Sequence, residues 1–316
     1  MRTLGGTGLR TPRLVLGGNV FGWTATGEDA FRILDRFAEA GGTMIDTADV
    51  YSAWVPGHRG GESESLIGEW LRRRGGKGDM LVATKVGMLR GEGGAKLEPA
   101  RIAAAAEASL RRLGVDSIDL YYAHQDDPAT PQEESLAAFD RLVRDGKVRS
   151  LGASNHSAER LESALAISER DGLARYDVLQ NEFHLMNREG FEGPLQQLCL
   201  RQGVAHLPFY GLASGFLTGK YRSAADRGKS VRGDRMGKYL NARGFAVLAV
   251  LDDISAEAGA TPAQVALAWL AAQPAVVAPI ASARTREQLE ELLGAMTLDL
   301  SPEQLARLDD ASRTEE

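Results

Sequence analysis

Cysteine is almost missing: Cys199 is the one thiol among 316 residues. A single thiol excludes an internal disulfide and a thiolate metal cluster, and it fits a reducing compartment. No apolar run approaches the roughly 18 residues that a membrane span needs. The first eighteen residues carry no continuous apolar stretch ending in a small-residue cleavage site, so the expectation is a cytoplasmic protein. Charge of one sign is also scarce. The 37 Lys and Arg face 43 Asp and Glu, a net of −6, which leaves no basic surplus to grip nucleic acid or an anionic membrane. Histidine numbers five, and His156, His184 and His206 lack H-x-H or H-E-x-x-H spacing, so no metal is expected. No glycine-rich phosphate loop fits either. Gly17 to Gly22 has the wrong spacing for G-x-G-x-x-G, and Gly91 to Lys96 is too short for a Walker A loop. With 43% hydrophobic and 25% charged residues the composition is that of an ordinary globular protein.

Short apolar runs alternate with longer amphipathic stretches along the whole chain. Strands are predicted at Leu14–Gly17, Thr43–Asp46, Met80–Lys85, Ile118–His124, Val148–Ser154, Val178–Glu182, Val204–Phe209 and Val276–Ile280. Helices are predicted between and after them, at Glu28–Ala40, Ser63–Arg73, Pro99–Leu113, Pro131–Asp145, Ser157–Arg170, Gly193–Gln202, Phe245–Gly259 and Arg286–Gly294. In Pro99–Leu113 the spacing of Ile102, Ala106, Leu110 and Leu113 gives one buried helical face. Eight β-then-α units in series point to an α/β fold with a parallel sheet covered by helices, and a closed (β/α)8 TIM barrel leads over an open doubly wound sheet. Residues 1–13 read as a glycine-turned β-hairpin that plugs the barrel bottom. Residues 213–243, with Lys229, Arg232, Arg235 and Lys238, read as an irregular loop over the barrel mouth. Nothing marks a domain boundary, so residues 1–316 are expected to form one barrel domain.

In such a barrel the chemistry sits where strands end at the C-terminal rim. The second strand ends in Asp46, the third in Lys85 and the fourth in His124, and thirty-nine residues separate each from the next. Tyr51 follows on the loop after Asp46. Any one of these alone reads as a helix cap or a structural polar group; four at successive strand ends do not. A phenol with a pKa of roughly 10 is a poor acid at neutral pH. An adjacent ammonium favours the phenolate, so Lys85 is expected to lower the Tyr51 pKa, and Asp46 to keep Lys85 charged. His124 is placed to orient a substrate oxygen. A proton donor aimed at an oxygen that becomes negative suits carbonyl reduction or its reverse.

This constellation resembles the aldo-keto reductase family, in particular its microbial members. The resemblance rests on Asp46-Thr47-Ala48-Asp49-Val50-Tyr51 with Lys85 and His124, and on Gly61-Glu62-Ser63-Glu64 before Leu66-Ile67-Gly68. It extends through Gly146 to Asn155 and Leu212 to Tyr221, so it covers nearly the whole chain. It implies an NADP-dependent oxidoreductase that reduces an aldehyde or ketone, a sugar or a small aromatic carbonyl among them, with Tyr51 as general acid. It also implies NADPH/NADP+ lying across the barrel mouth. Ser154, Asn155 and Gln180 fall where the family holds the nicotinamide carboxamide, and Phe209 where an aromatic ring stacks on it. Leu212 and Ser214 fall on the cofactor loop. Ser282, Arg284 and Gln288 fall where the family grips the 2′-phosphate, at a helix N-terminus that is an anion site on physical grounds too. Pro commonly stands two residues after the stacking ring; here Tyr210 and Gly211 follow Phe209. An Asn often found four residues after the Gln is Leu292 here.

Trp54 is expected in the substrate pocket and His58 beside it, with Cys199 and His184 structural. The expected partner is a small-molecule carbonyl compound; oligomeric state is open. Two readings from other classes stay open beside the enzyme: a redox-sensing module that binds NADP(H) with negligible turnover, and a barrel hydrolase, which would need metal ligands.

Overall fold

The protein is described by a computed structural model, in which residues 1–229 and 233–313 are described. Arg232 of the basic segment lies outside the described residues, as do the side chains of Lys229 and Arg235.

Two short strands, β1 (Arg2–Thr3) and β2 (Arg10–Thr11), pair antiparallel through a 3-10 turn at Gly5–Thr7. The turn needs glycine. Gly5 has φ +52°, and a Cβ there would lie 2.5 Å from the Asp177 carbonyl oxygen at the start of a barrel strand. The hairpin thus closes the N-terminal end of the barrel and drops Leu4 and Leu9 into its interior.

Eight parallel strands follow: β3 (Val15–Gly17), β4 (Met44–Asp46), β5 (Leu81–Val86), β6 (Ile118–Ala123), β7 (Val148–Ser154), β8 (Tyr176–Gln180), β9 (Ala205–His206) and β10 (Ile280–Ala281). Their spatial order is β10-β3-β4-β5-β6-β7-β8-β9, and a His206–Val276 bridge carries the sheet round from β9 to the approach to β10. Backbone bonds from Val277 N to His206 O and from Ile280 N to Pro208 O, both 2.9 Å, support that closure. This is the (β/α)8 fold with its N-terminal hairpin. β9 and β10 are shorter than the sequence suggests, because beyond Ala205–His206 and Ile280–Ala281 the pairing continues only as isolated bridges, at Phe209 and Val276.

The covering helices are α1 (Gly27–Glu39), α2 (Glu62–Arg73), α3 (Pro99–Leu113), α4 (Gln132–Arg144), α5 (Ala158–Asp171), α6 (Pro194–Gln202), α7 (Ala242–Ala258), α8 (Pro262–Ala272), α9 (Arg286–Gly294) and α10 (Pro302–Ser312). Two were not anticipated. α8 is apolar on every face, with Val265 to Ala271 all buried, so it has no amphipathic stripe to find. α10 packs on α7, and both α8 and α10 open with a full capping box, Thr261 with Gln264 and Ser301 with Gln304.

The 213–243 segment is less irregular than expected. It winds through three 3-10 turns, Ala213–Thr218, Ala224–Lys229 and Gly233–Lys238, and buries Phe216, Met236 and Tyr239.

Along each strand side chains alternate between the barrel interior and the helix layer. Leu4, Leu9, Met44, Ala83, Leu120, Tyr122 and Val178 form the inner core, while Ile45, Val82, Val86 and Tyr121 join the outer one. The same alternation carries Asp46, Lys85, His124 and Gln180 inward, to the C-terminal mouth. Thr84, one residue from Lys85, faces α2 instead.

Candidate active site

Lys85 is fully buried, and its ammonium has three oxygen partners. It reaches Asp46 Oδ2 at 2.6 Å, the Thr47 carbonyl at 2.8 Å and Tyr51 Oη at 3.0 Å. Gln180 donates from Nε2 to the other Asp46 oxygen at 2.8 Å, so both carboxylate oxygens are engaged. Four residues from three strands and one loop therefore share one hydrogen-bonded chain. The Tyr51 ring lies edge-on to His124, 6.0 Å between ring centres.

The electrostatics differ from expectation at Tyr51. Burial, then the nearby Asp46 charge, push its phenol well above the usual value of 10; the pull of Lys85 does not prevail. Tyr51 thus holds its proton at neutral pH. Burial also lowers the Lys85 ammonium, against which the Asp46 charge and hydrogen bond work. His124 falls well below 6.5, first from burial and then from the Lys85 charge, so its ring is neutral.

The tyrosine loop is fastened at several points. Thr47 Oγ1 and Ser63 Oγ lie 2.8 Å apart, and Ser63 Oγ donates to the Gly18 carbonyl. Ser52 Oγ donates to the Phe21 carbonyl at 2.9 Å while its backbone takes φ +73°. Gly61 is needed because the Arg112 side chain passes where its Cβ would stand, at 2.5 Å, and its φ is +86°.

A cleft of about 690 Å³ opens at this rim. Asp46, Tyr51 and His124 line it, and Trp54 walls one side. The Trp54 indole packs edge-on against Trp23 at 5.6 Å and Tyr51 at 6.1 Å. Ser154, Asn155, Gln180, Phe209, Leu212 and Ser214 line another stretch, and Ser282, Arg284 and Gln288 a third. All the expected site residues except fully buried Lys85 thus border one cleft, and Lys85 is bonded to two that do. Ser154 Oγ donates to the Gln180 carbonyl, and Asn155 Nδ2 to the His124 carbonyl at 2.9 Å. Asn155, Tyr210, Ala213 and Ser214 all have positive φ, a strained geometry for residues other than glycine that gathers at functional rims. Phe209 is half-buried, with the exposed Tyr210 ring 5.1 Å away edge-on.

At the third stretch Thr285 caps α9, the Arg284 N–H donates to Gln288 Oε1 at 2.9 Å, and Ser282 Oγ donates to Asn19 Oδ1 at 2.7 Å. Among the described residues the Arg284 guanidinium forms no ion pair. Gly17 has no room for a side chain, since a Cβ would lie 2.4 Å from Ser282 Oγ.

Other expectations sort cleanly. His58 does not line the cleft. His184 is fully buried and bonded to Glu182 at 3.0 Å, and the Cys199 thiol is buried and pushed up to about 12, too high for a nucleophile. Asn19, Val20, Trp23, Thr24, Met88 and Tyr210 also line the cleft and were not foreseen as site residues. Their signal was position: Trp23 and Met88 lie on loops that leave the ends of β3 and β5. Among the described residues no helix is long and apolar enough to cross a membrane, and no group of three or more His, Cys, Asp or Glu is arranged to hold a metal ion.

Comparison with known proteins places the chain among characterised and uncharacterised oxidoreductases. YrpG, an uncharacterized oxidoreductase of Bacillus subtilis, is 34% identical over 320 residues, 97% of this chain and 94% of its own. An aldo-keto reductase of Schizosaccharomyces pombe, yakc [NADP(+)], is 32% identical over 85% of this chain and 78% of its own. The L-glyceraldehyde 3-phosphate reductase of Escherichia coli is 30% identical over 98% of this chain and 91% of its own. The sequence model of the Aldo/keto reductase family matches residues 13–313, which takes in every strand of the barrel and every residue of the cleft. With that match and a Tyr–Lys–Asp chain beside a histidine at the barrel mouth, the chain belongs to the aldo/keto reductase family and is an oxidoreductase.

Proposed function

We propose that the protein reduces an aldehyde or ketone to the alcohol with NADPH, and that Tyr51 is its general acid. The observation that carries this reading is the Lys85 ammonium held between Asp46 and the Tyr51 hydroxyl, at 2.6 and 3.0 Å.

The cleft fits a dinucleotide. Arg284 is a cation without an ion-pair partner among the described residues, beside a helix N-terminus that favours anions, which suits a phosphate. Ser282 and Gln288 would flank that phosphate, Phe209 offers a half-buried ring face for stacking, and Leu212 and Ser214 border the path between. Ser154, Asn155 and Gln180 would hold the carboxamide next to the tetrad. A bound reduced nicotinamide would supply the hydride.

The protein's own groups manage the proton. Tyr51 keeps its proton until a carbonyl oxygen gains negative charge, then transfers it to that oxygen. Lys85 stabilises the phenolate left behind, in a buried setting where the attraction is stronger than in water. Asp46, anchored by Gln180, keeps the ammonium in place. Neutral His124 orients the carbonyl through a hydrogen bond rather than a charge. The reverse oxidation needs the phenolate, so rising pH favours it. Trp54 and Trp23 wall the substrate end against water.

The test is NADPH and NADH oxidation with a nitrobenzaldehyde by the wild type and by Tyr51→Phe. Turnover that prefers NADPH and collapses in the variant, with NADPH affinity kept, supports the reading. Turnover unchanged in Tyr51→Phe overturns the acid assignment, and tight NADPH binding with no turnover of any aldehyde overturns the reduction itself.

A further inference from the structure

Behind the tetrad, on the helix side of β5, lies a second set of buried charges that the proposed chemistry does not use. Asp49 is fully buried two residues before Tyr51, and its Oδ2 accepts a hydrogen bond from Arg101 of α3 at 2.9 Å. Arg101 is 5% exposed and also donates to the Glu92 carbonyl at 3.3 Å. Beside this pair, Glu64 of α2 accepts from Arg112 of α3 at 2.6 Å and from Thr84 of β5 at 2.5 Å. The backbone N–H of Asp49 donates to the Lys85 carbonyl at 3.2 Å, so the same residue touches the chemistry-bearing strand.

We infer that the buried Asp49–Arg101 ion pair is the positioning clamp of Tyr51, tying the loop that carries the phenol to α3 and to the loop between β5 and α3. This rests on the proposed role of Tyr51 as acid. Two glycines leave room for the clamp. A Cβ at Gly60 would lie 2.7 Å from the Asp49 carbonyl oxygen, and one at Gly91 would lie 2.6 Å from the Arg101 guanidinium. Ser52, anchored to Phe21, holds the other side of Tyr51. The phenol thus sits between two buried anchors, one of them ionic. A pair of this kind adds little net stability compared with apolar packing. What it adds is direction: the guanidinium accepts one loop geometry, and a displacement near 1 Å at the reacting atoms can cost about a hundredfold in rate.

The clamp is sensitive to protons. The groups facing Asp49 are Glu64 from α2, Arg101 and Arg112 from α3, Lys85 from β5 and Tyr121 from β6. Burial, then the like charge of Glu64, push the Asp49 carboxyl up to about 7, against the pull of the two arginines. Below that value the pair loses its ionic half. Neutral His124 and protonated Tyr51 do not titrate near 7, and loss of the Lys85 proton would act on the alkaline side. Because the folded value lies above the ordinary 3.8, protonation of Asp49 adds stability as pH falls from about 7 towards 3.8. A rate lost below pH 7 through Asp49 is therefore not a fold lost.

The experiment is single-turnover oxidation of bound NADPH by a nitrobenzaldehyde from pH 6 to pH 8, on wild type, Asp49→Asn and Asp49→Glu, with rates expressed per NADPH-binding site. The wild-type rate at saturating aldehyde is expected to fall by up to about tenfold at pH 6 while the aldehyde concentration for half-maximal rate stays flat. Asp49→Asn is expected to be slower by between about fivefold and a hundredfold at pH 8 and indifferent to pH. Its NADPH Kd should stay within about twofold, and Asp49→Glu should recover part of the rate and the acid limb. A merely structural Asp49 would lower Tm and the number of binding sites without removing the limb. Should Asp49→Asn fail to fold, the wild-type profile decides: a flat rate from pH 6 to 8 overturns the clamp. So does an Asp49→Asn rate equal to the wild type, or an acid limb that survives the substitution. A wild type that binds NADPH but reduces nothing overturns the proposed function and takes the clamp with it, an outcome separate from an active enzyme indifferent to Asp49.

Discussion

The two ends of the barrel are built on opposite terms. At the N-terminal end a hairpin pushes Leu4 and Leu9 into a closed apolar layer with Met44, Leu120 and Val178. At the C-terminal end the same interior positions carry Asp46, Lys85, His124 and Gln180, and the rim above them holds Asn155, Tyr210, Ala213 and Ser214 in left-handed backbone. One end is packed like an ordinary core and the other stores buried charge and strain, so the first is built to stabilise the fold and the second is where we propose the chemistry takes place. The division can be tested with single substitutions at each end.

The largest expected effect is at the mouth. Tyr51→Phe removes one oxygen from the chain of Lys85, Asp46 and Gln180, and turnover should fall by about a hundredfold or more. Melting temperature should change little, since Lys85 keeps Asp46 and the Thr47 carbonyl as partners. At the plug the pattern should invert. Leu4 is fully buried, so Leu4→Ala leaves a cavity and should cost about 2–5 kcal/mol in a denaturant titration. Its kcat per folded molecule should match the wild type. A Leu4→Ala enzyme with full stability and impaired turnover would erase the division between the ends.

How much of this was legible follows from where each signal lies in the chain. The strand ends were legible because period-two burial fixes which residues face inward, and one βα unit has a regular length, so the spacing alone puts Asp46, Lys85 and His124 on one rim. α8 was not, since a helix buried all round shows no 3.6-residue stripe; the capping box of Thr261 and Gln264 was the signal to use. The raised Tyr51 phenol was not legible either. Sequence names its neighbours, but the depth of burial decides whether Lys85 or desolvation prevails. The Asp49–Arg101 pair joins residues 52 apart on a loop and a helix, a contact that no spacing rule announces. Trp23 and Met88 were missed for a milder reason: both stand on loops that leave strand ends, where any side chain can turn into the cleft or away from it.

Within the mouth, the stretch proposed to hold the cofactor and the stretch proposed to hold the substrate should separate as well. Arg284 lacks an ion-pair partner among the described residues, so Arg284→Ala should not disturb the fold. It should weaken NADPH binding by about 10- to 100-fold, the worth of one or two charged hydrogen bonds near 1.5–3 kcal/mol. NADH binding, measured in the same fluorescence titration, should barely change. Equal losses for both nucleotides would move Arg284 off the 2′-phosphate and onto a part the two cofactors share.

The smallest effect is expected at Trp54, and it bears on what the tryptophan pair is for. Trp54 is 48% exposed, yet its ring is held edge-on between Trp23 and Tyr51. A large apolar side chain left half in water and braced by two rings contributes less to folding than to what it faces. Trp54→Ala should therefore raise KM for a nitrobenzaldehyde by several-fold, with Tm unchanged and kcat within about twofold, because edge-to-face contacts are worth about 0.5–1.5 kcal/mol. A larger fall in kcat than rise in KM would show that the indole steadies the Tyr51 ring rather than the substrate. That would extend the strain-bearing part of the mouth outward, from the buried ammonium to its exposed wall.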